Sequence, residues 1–250
     1  MATRPWRPSA RKDSSLSPSE SAGSTFRRLK RRLEPLLREA APETLVAAVL
    51  ELPLRQAVNP LISFFYHPTP LIRWRAISVF GVAAAALAEA QPESARVMMR
   101  RLMWQLNDES GGIGWGAPEA MGESMARSPR LAAEYHTILV SYVRLDGNFL
   151  EHPILQRGSL WAVGRLAEVR PDLVSHAGPA LHPFLRSQDP HHRGLAARAA
   201  GLIGTGALAP RLEALRNDPE TIELYHDWRL ETLAVGTLAV EALARLAGSG

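Results

Sequence analysis

The sequence predicts an all-α chain built as a solenoid of antiparallel helix pairs. Three observations carry that expectation. Apolar residues recur at helical spacing, as in Met99, Leu102, Met103 and Leu106, and again in Leu131, Tyr135, Ile138 and Tyr142. Prolines and glycines interrupt the pattern at the intervals that short inter-helix turns require. One pattern also recurs along the chain with glycine-to-glycine separations of 41, 42 and 37 residues. From residue 42 onward almost no strand signal is visible.

Residues 1–24 are rich in Ser, Pro and Arg with little to bury, and read as a disordered basic tail. A helix is expected from Ser24-Thr25, with Phe26, Leu29, Leu33, Leu36 and Leu37 on one face. The opposite face carries Arg27, Arg28, Arg31 and Arg32, as a solvated surface or one that meets an anionic partner. Residues 1–34 hold nine Lys or Arg against three acids, a balance of +6, whereas the other 216 residues balance at −2. A large nucleic-acid footprint on the body is therefore poorly supported by charge. The run Ala76–Ala88 is too short to cross a bilayer and reads as a buried helix. No apolar segment of signal-peptide type precedes residue 26, which places the chain in the cytoplasm. The absence of cysteine excludes disulfides, thiolate zinc sites and a thiol nucleophile.

The repeat aligns on Gly81, Gly122, Gly164 and Gly201. Twelve residues earlier stand Thr69, Ser110, His152 and Asp189; Thr, Ser and Asp suit an N-cap. Next come Pro70, Gly111, Pro153 and Pro190, where proline fits the first helical turn. Five residues before the glycine stand Ala76, Ala117, Ser159 and Ala196, and two before it Val79, Ala120, Ala162 and Ala199. Small residues on one face let a neighbouring helix come close, and a large one there would push the stack apart. A degenerate fifth copy is expected over 207–246, interrupted by an insertion around Pro219–Asp227.

This register resembles the HEAT-repeat superfamily. The best match is Asp189-Pro190-His191-His192-Arg193 through Gly201, and the next is Ile72-Arg73 through Gly81. Gly114 and Gln156 stand where the family usually has arginine. The resemblance covers about residues 56–246 and implies a right-handed α-α superhelix within a 25–250 domain. It also implies a concave face lined by second helices that takes up a protein or peptide partner. HEAT proteins share a shape rather than one activity, and the pattern is also similar to bilin-lyase-like members. A looser similarity to HEAT-like alkylpurine DNA glycosylases covers Trp104 through Gly122 and Ser128-Pro129-Arg130-Leu131. There the family's catalytic aspartate falls on Gly114, so the match departs at the chemistry.

Positions seven and three before the glycine and one after it share a helical face. They give Trp74, Ser78 and Val82; Trp115, Glu119 and Glu123; Arg157, Trp161 and Arg165; and Gly194, Arg198 and Leu202. Of these, Trp74, Trp115, Glu119, Glu123, Arg157, Trp161, Arg165 and Arg198 form the candidate binding stripe, because Trp and Arg most often dominate interfaces. The same residues also suit packing between repeats, with Glu119 and Glu123 paired to Arg157 and Arg165.

The segment from Asn107 to Glu119 is a second candidate. Gly111, Gly112, Gly114 and Gly116 weaken a helix start and leave backbone N–H groups free for a polar ligand, while Asn107, Asp108 and Glu109 precede them. It equally suits an irregular turn where backbones pass closely. The histidines lack metal-ligand spacing, and no catalytic residues, metal or cofactor are expected. The expected function is a non-catalytic scaffold for a protein or peptide. The alternative is a ligand-binding or enzymatic HEAT-like protein using residues 107–119.

Overall fold

The computed structural model describes residues 18–107 and 113–248, with side chains from Gly23 onward. Helix α1 (Pro18–Glu39) starts ahead of the expected Ser24-Thr25 boundary. It buries Leu29, Leu33 and Leu37 and turns Arg27, Arg28, Arg31 and Arg32 outward, as the spacing predicts. The predicted tail up to residue 17 lies outside the described residues.

After α2 (Pro42–Leu50) the chain alternates first and second helices of each pair. The first helices are α3 (Leu54–Ser63), α5 (Pro92–Gln105), α7 (Pro129–Ser141), the one-turn α9 (Pro171–Val174) and α11 (Ala209–Ala214). The second helices are α4 (Pro70–Ala90), α6 (Ala117–Arg127), α8 (Pro153–Ala167), α10 (Pro190–Ile203) and α12 (Val235–Gly248). Each second helix packs on the next, and the first helices pack against them. The fold is an all-α superhelical repeat of HEAT/armadillo type. α9 ends after one turn, and the chain continues through 3-10 turns at Ser175–Leu181, which contains Pro179, and Phe184–Arg186.

The aligned glycines sit where second helices cross. A Cβ on Gly122 would lie 2.6 Å from the Ala162 Cβ, and one on Gly201 2.7 Å from the Ala242 Cβ. On Gly81 it would lie 3.0 Å from the Glu123 backbone carbon. Smallness at these positions is therefore the condition for the stack. Helix α4 is long and apolar enough to cross a membrane by composition, but 67% of that window is buried inside the fold. Its apolar residues serve the core.

The position eight residues before Gly81, Gly164 and Gly201 also has a visible role. Arg73 Nη1 donates to the His67 carbonyl (3.3 Å) and Arg193 Nη1 to that of Ser187 (2.9 Å), each tying a second helix to the turn before it. Gln156, in a copy that departs from the HEAT pattern, does the same by donating to the Glu151 carbonyl (3.3 Å).

Three expectations are corrected. Of the N-caps, Asp189 accepts from the His191 N–H (2.9 Å), but Thr69 makes no side-chain cap while His152 does, accepting from Ile154 N–H (3.2 Å). Its Nδ1 lone pair serves as well as a hydroxyl; Ser110 lies outside the described residues. Helix α6 begins at Ala117 rather than Gly111, because Gly114 and Gly116 adopt left-handed φ of 70° and 77°. The near-absence of strands also fails over the expected insertion. Strands β1 (Thr221–His226) and β2 (Arg229–Ala234) pair antiparallel as a hairpin between α11 and α12. Ile222 and Leu224 turn inward in β1, and Tyr225 beside them is buried too, so the alternation is both short and broken.

Candidate functional site

The hairpin lies on the stripe. Tyr225 stacks on Trp74 with ring centroids 4.9 Å apart and planes 7° from parallel, and Trp74 meets Trp161 at 4.6 Å. Trp161 Nε1 donates to the Tyr225 carbonyl (2.9 Å), and the Tyr225 and Ser78 hydroxyls share a hydrogen bond (3.0 Å). Burial pushes the Tyr225 hydroxyl up to about 12, so it stays neutral. Trp74 and Ser78, four apart on α4, and Trp161 on α8 thus hold one aromatic side chain of the chain's own extended segment.

One turn along, the stripe becomes an ion-pair network. Glu123, 3% exposed, accepts from Arg127 Nε (2.6 Å) and from Arg165 Nε across the helix pair (2.7 Å). Arg165 also reaches Glu168 (3.2 Å), which accepts from Arg198 and lies 3.1 Å from His226 Nε2 on the hairpin. Glu123, Arg127, Arg165, Glu168 and His226 line, with Trp228, a cavity of about 90 Å³ beneath the hairpin tip. The tip is strained: Asp227 and Trp228 have φ of 45° and 65°, rare for any side chain and rarer for a large one. Trp228 is held by the Arg127 guanidinium, 5.9 Å from its ring centroid.

The remaining stripe residues part company. Arg157 does not pair with Glu119; its Nε donates to Asp189 (2.7 Å) on the following turn. Trp115, held between the left-handed Gly114 and Gly116, stacks with Tyr66 at 6.3 Å. Glu119 sits against α8 where Gly158 leaves room, since a Cβ there would lie 2.7 Å from its carboxylate. Burial raises the Glu119 carboxyl to about 7, against smaller opposing effects from its own backbone N–H and from Arg73.

In the second candidate segment, Asn107 borders a cavity of about 830 Å³ shared with Tyr142, Phe149 and Leu155. Gly114 passes close to the Gln105 backbone. Asp108, Glu109, Gly111 and Gly112 lie outside the described residues. A more apolar cavity of about 570 Å³, around Leu145, Phe149 and Phe184, also lies off the stripe. Among the described residues no three His, Cys, Asp or Glu side chains are grouped to hold a metal ion.

Sequence reasoning missed Tyr66, Glu168, Tyr225, His226 and Trp228. The signal that could have found the hairpin residues is the β-branched and aromatic run Thr221–Tyr225 ahead of Asp227.

No family model matches the chain. A curated relative, an uncharacterized protein of Archaeoglobus fulgidus, is 33% identical over 111 residues, 44% of this chain and 54% of the relative. The chain thus spans about half the length of that relative. A solved structure of an engineered protein superposes with a TM-score of 0.57 at 15% identity, over 95% of this chain and 94% of the other. A designed armadillo repeat protein does so at 0.53 and 16% identity, over 93% and 96%. These likenesses establish the repeat fold. The similarity to the glycosylases finds no such support, and their aspartate position is a left-handed glycine here.

Proposed function

We propose that the chain is an interaction scaffold that takes up an extended peptide segment of a protein partner along the stripe, where its own hairpin is the resident occupant. The observation that carries this reading is the seating of Tyr225 between Trp74, Trp161 and Ser78. The stripe there offers a stacking face, an indole donor to a backbone carbonyl and a hydroxyl for a side-chain tip. That combination recognises an extended chain bearing a tyrosine. A two-stranded hairpin is only marginally stable alone. This one also carries a strained tip, each left-handed residue costing on the order of 1–3 kcal/mol. It therefore rests on the stripe's contacts, and a segment offering the same contacts without the strain competes well.

The hairpin's base allows a clean test. Val235 N–H donates to the Glu220 carbonyl (2.8 Å), so the hairpin leaves and rejoins the body at neighbouring points. Replacing residues 221–234 with a two-glycine link exposes the stripe with little demand on the backbone. A synthetic peptide of residues 219–236 then binds this variant and quenches its tryptophan emission. Its Tyr225→Ala form binds more weakly. Absence of binding by a variant whose circular dichroism matches the parent's helical signal overturns the proposal.

A further inference from the structure

Away from the stripe, helices α3 and α5 each pack on α4 and little on each other, which leaves a cleft between two successive first helices. Its walls follow from helical spacing. Arg55, Val58 and Asn59 share one face of α3, and Ser94, Val97, Met98 and Arg101 share one face of α5. With the buried Leu87 of α4, these residues line a cavity of about 200 Å³. Arg55, Asn59, Val97 and Arg101 are all exposed, so the cavity opens to solvent on their side.

The charges around this cavity are unbalanced. On α5, Arg100 donates to Glu93 (2.6 Å) and Arg96 to Glu134 of α7 (2.7 Å), so both carboxylates are taken. Arg101 stands next to Arg100 and has no ion pair or side-chain hydrogen bond among the described residues, and the same holds for Arg55 across the cleft. The Asn59 amide is equally without a partner there, and no acidic side chain lines the cavity. Two guanidinium groups at one small cavity repel each other. A single oxyanion relieves that repulsion and accepts from both planar forks and from the amide. The rest of the lining is largely apolar: Val58 and Met98 are buried, and Val97 is 52% exposed beside them. A ligand that fills the space therefore carries an apolar body next to its oxyanion. The cavity is smaller than the about 300–1,000 Å³ of drug-sized sites, so that body is small.

We infer that Arg55, Asn59 and Arg101 bind the oxyanion of a small organic acid, a carboxylate or a phosphate monoester, whose apolar body lies against Val58, Leu87 and Val97. The site is built on first helices and the stripe on second helices, so the two do not overlap. The inference does not rest on the scaffold reading.

The test is an NMR titration of the full chain, at fixed ionic strength, with phenyl phosphate and with benzoate. The two share an aromatic body and differ in the oxyanion. Inorganic phosphate lacks the body, and benzyl alcohol lacks the charge. One or both acids are expected to bind and to shift the side-chain Nε–H signals of Arg55 and Arg101 together, and the tighter binder identifies the oxyanion. Inorganic phosphate is expected to bind about tenfold more weakly than phenyl phosphate, and benzyl alcohol to leave those signals in place. Arg55→Gln and Arg101→Gln, both at exposed positions, each weaken binding about tenfold. Arg186→Gln, at an exposed arginine in the 3-10 turn before α10, leaves it unchanged. Val97→Glu sets a carboxylate against the two arginines and removes binding while the circular dichroism stays that of the parent. No binding of either acid at millimolar concentration, equal binding of benzyl alcohol, or a loss in Arg186→Gln as large as in Arg101→Gln overturns the inference. Parity of inorganic phosphate with phenyl phosphate overturns its apolar half.

Discussion

Replacing Glu119 with Gln removes the charge and keeps the shape, so it isolates what ionisation costs the fold. In the folded chain burial holds this carboxyl near 7, against an ordinary 4.5. A carboxyl raised in the folded state stabilises the fold most while protonated, and that advantage is lost as pH rises through the folded value. Below 4.5 the side chain is neutral in both folded and unfolded chains, and wild type and variant are equally stable. Above 7 it is charged in both, and the fold bears the full penalty, which the gap in pH units converts to about 3 kcal/mol. Glu119→Gln is therefore expected to match wild type at pH 4 and to exceed it by up to about 3 kcal/mol at pH 8. Urea titrations followed by circular dichroism at several pH values measure the difference, in which the titrations of all other groups cancel. A difference that stays flat from pH 4 to pH 8 refutes the reasoning, as does a Gln variant less stable than wild type at pH 8.

Other substitutions test the rest of the structure. Tyr225→Phe leaves the Ser78 hydroxyl buried without its partner and is expected to cost about 1 kcal/mol in urea titration. Gly122→Val drives a side chain into the backbone of α8 at Ala162 and is expected to cost about 2–3 kcal/mol. The same change at Gly206, where a Cβ meets nothing within 4 Å, serves as the tolerated control. Glu123→Gln leaves the Nε groups of Arg127 and Arg165 without their carboxylate, and a loss of about 3 kcal/mol at pH 7 is expected in thermal or urea unfolding.

The repeat was legible because its physical demand is local and recurrent. Gly122 and Gly201 must be small so that Ala162 and Ala242 can approach, and that demand leaves the same mark in each copy. The stripe was legible as a set of positions, since residues four apart on a helix share a face whatever surrounds them. Its occupant was not. The Trp161–Tyr225 bond joins residues 64 apart and the Ser78–Tyr225 bond residues 147 apart, and no local pattern announces such partners. Charge pairing was half legible. Glu123 and Arg165 meet as expected, but Arg157 turns to Asp189 because that carboxylate caps the next second helix within its reach. Glu119 was left without its expected partner, and this only the three-dimensional arrangement reveals. Left-handed Gly114 and Gly116 shortened α6 for a related reason: a glycine run marks a weak helix start, but not where the helix resumes.

The central claim is that the stripe holds the chain's own hairpin, and the Trp161 indole proton reports on it most directly. That N–H is buried and donates to the Tyr225 carbonyl, so its exchange with solvent requires the hairpin to lift. Hydrogen exchange at the indole sites, followed by NMR, predicts slow exchange for Trp161 in the intact chain. It predicts fast exchange once residues 221–234 are replaced by the two-glycine link, with the backbone amides of α8 still protected. A Trp161 indole that exchanges as fast in the intact chain as in the excised one contradicts the account.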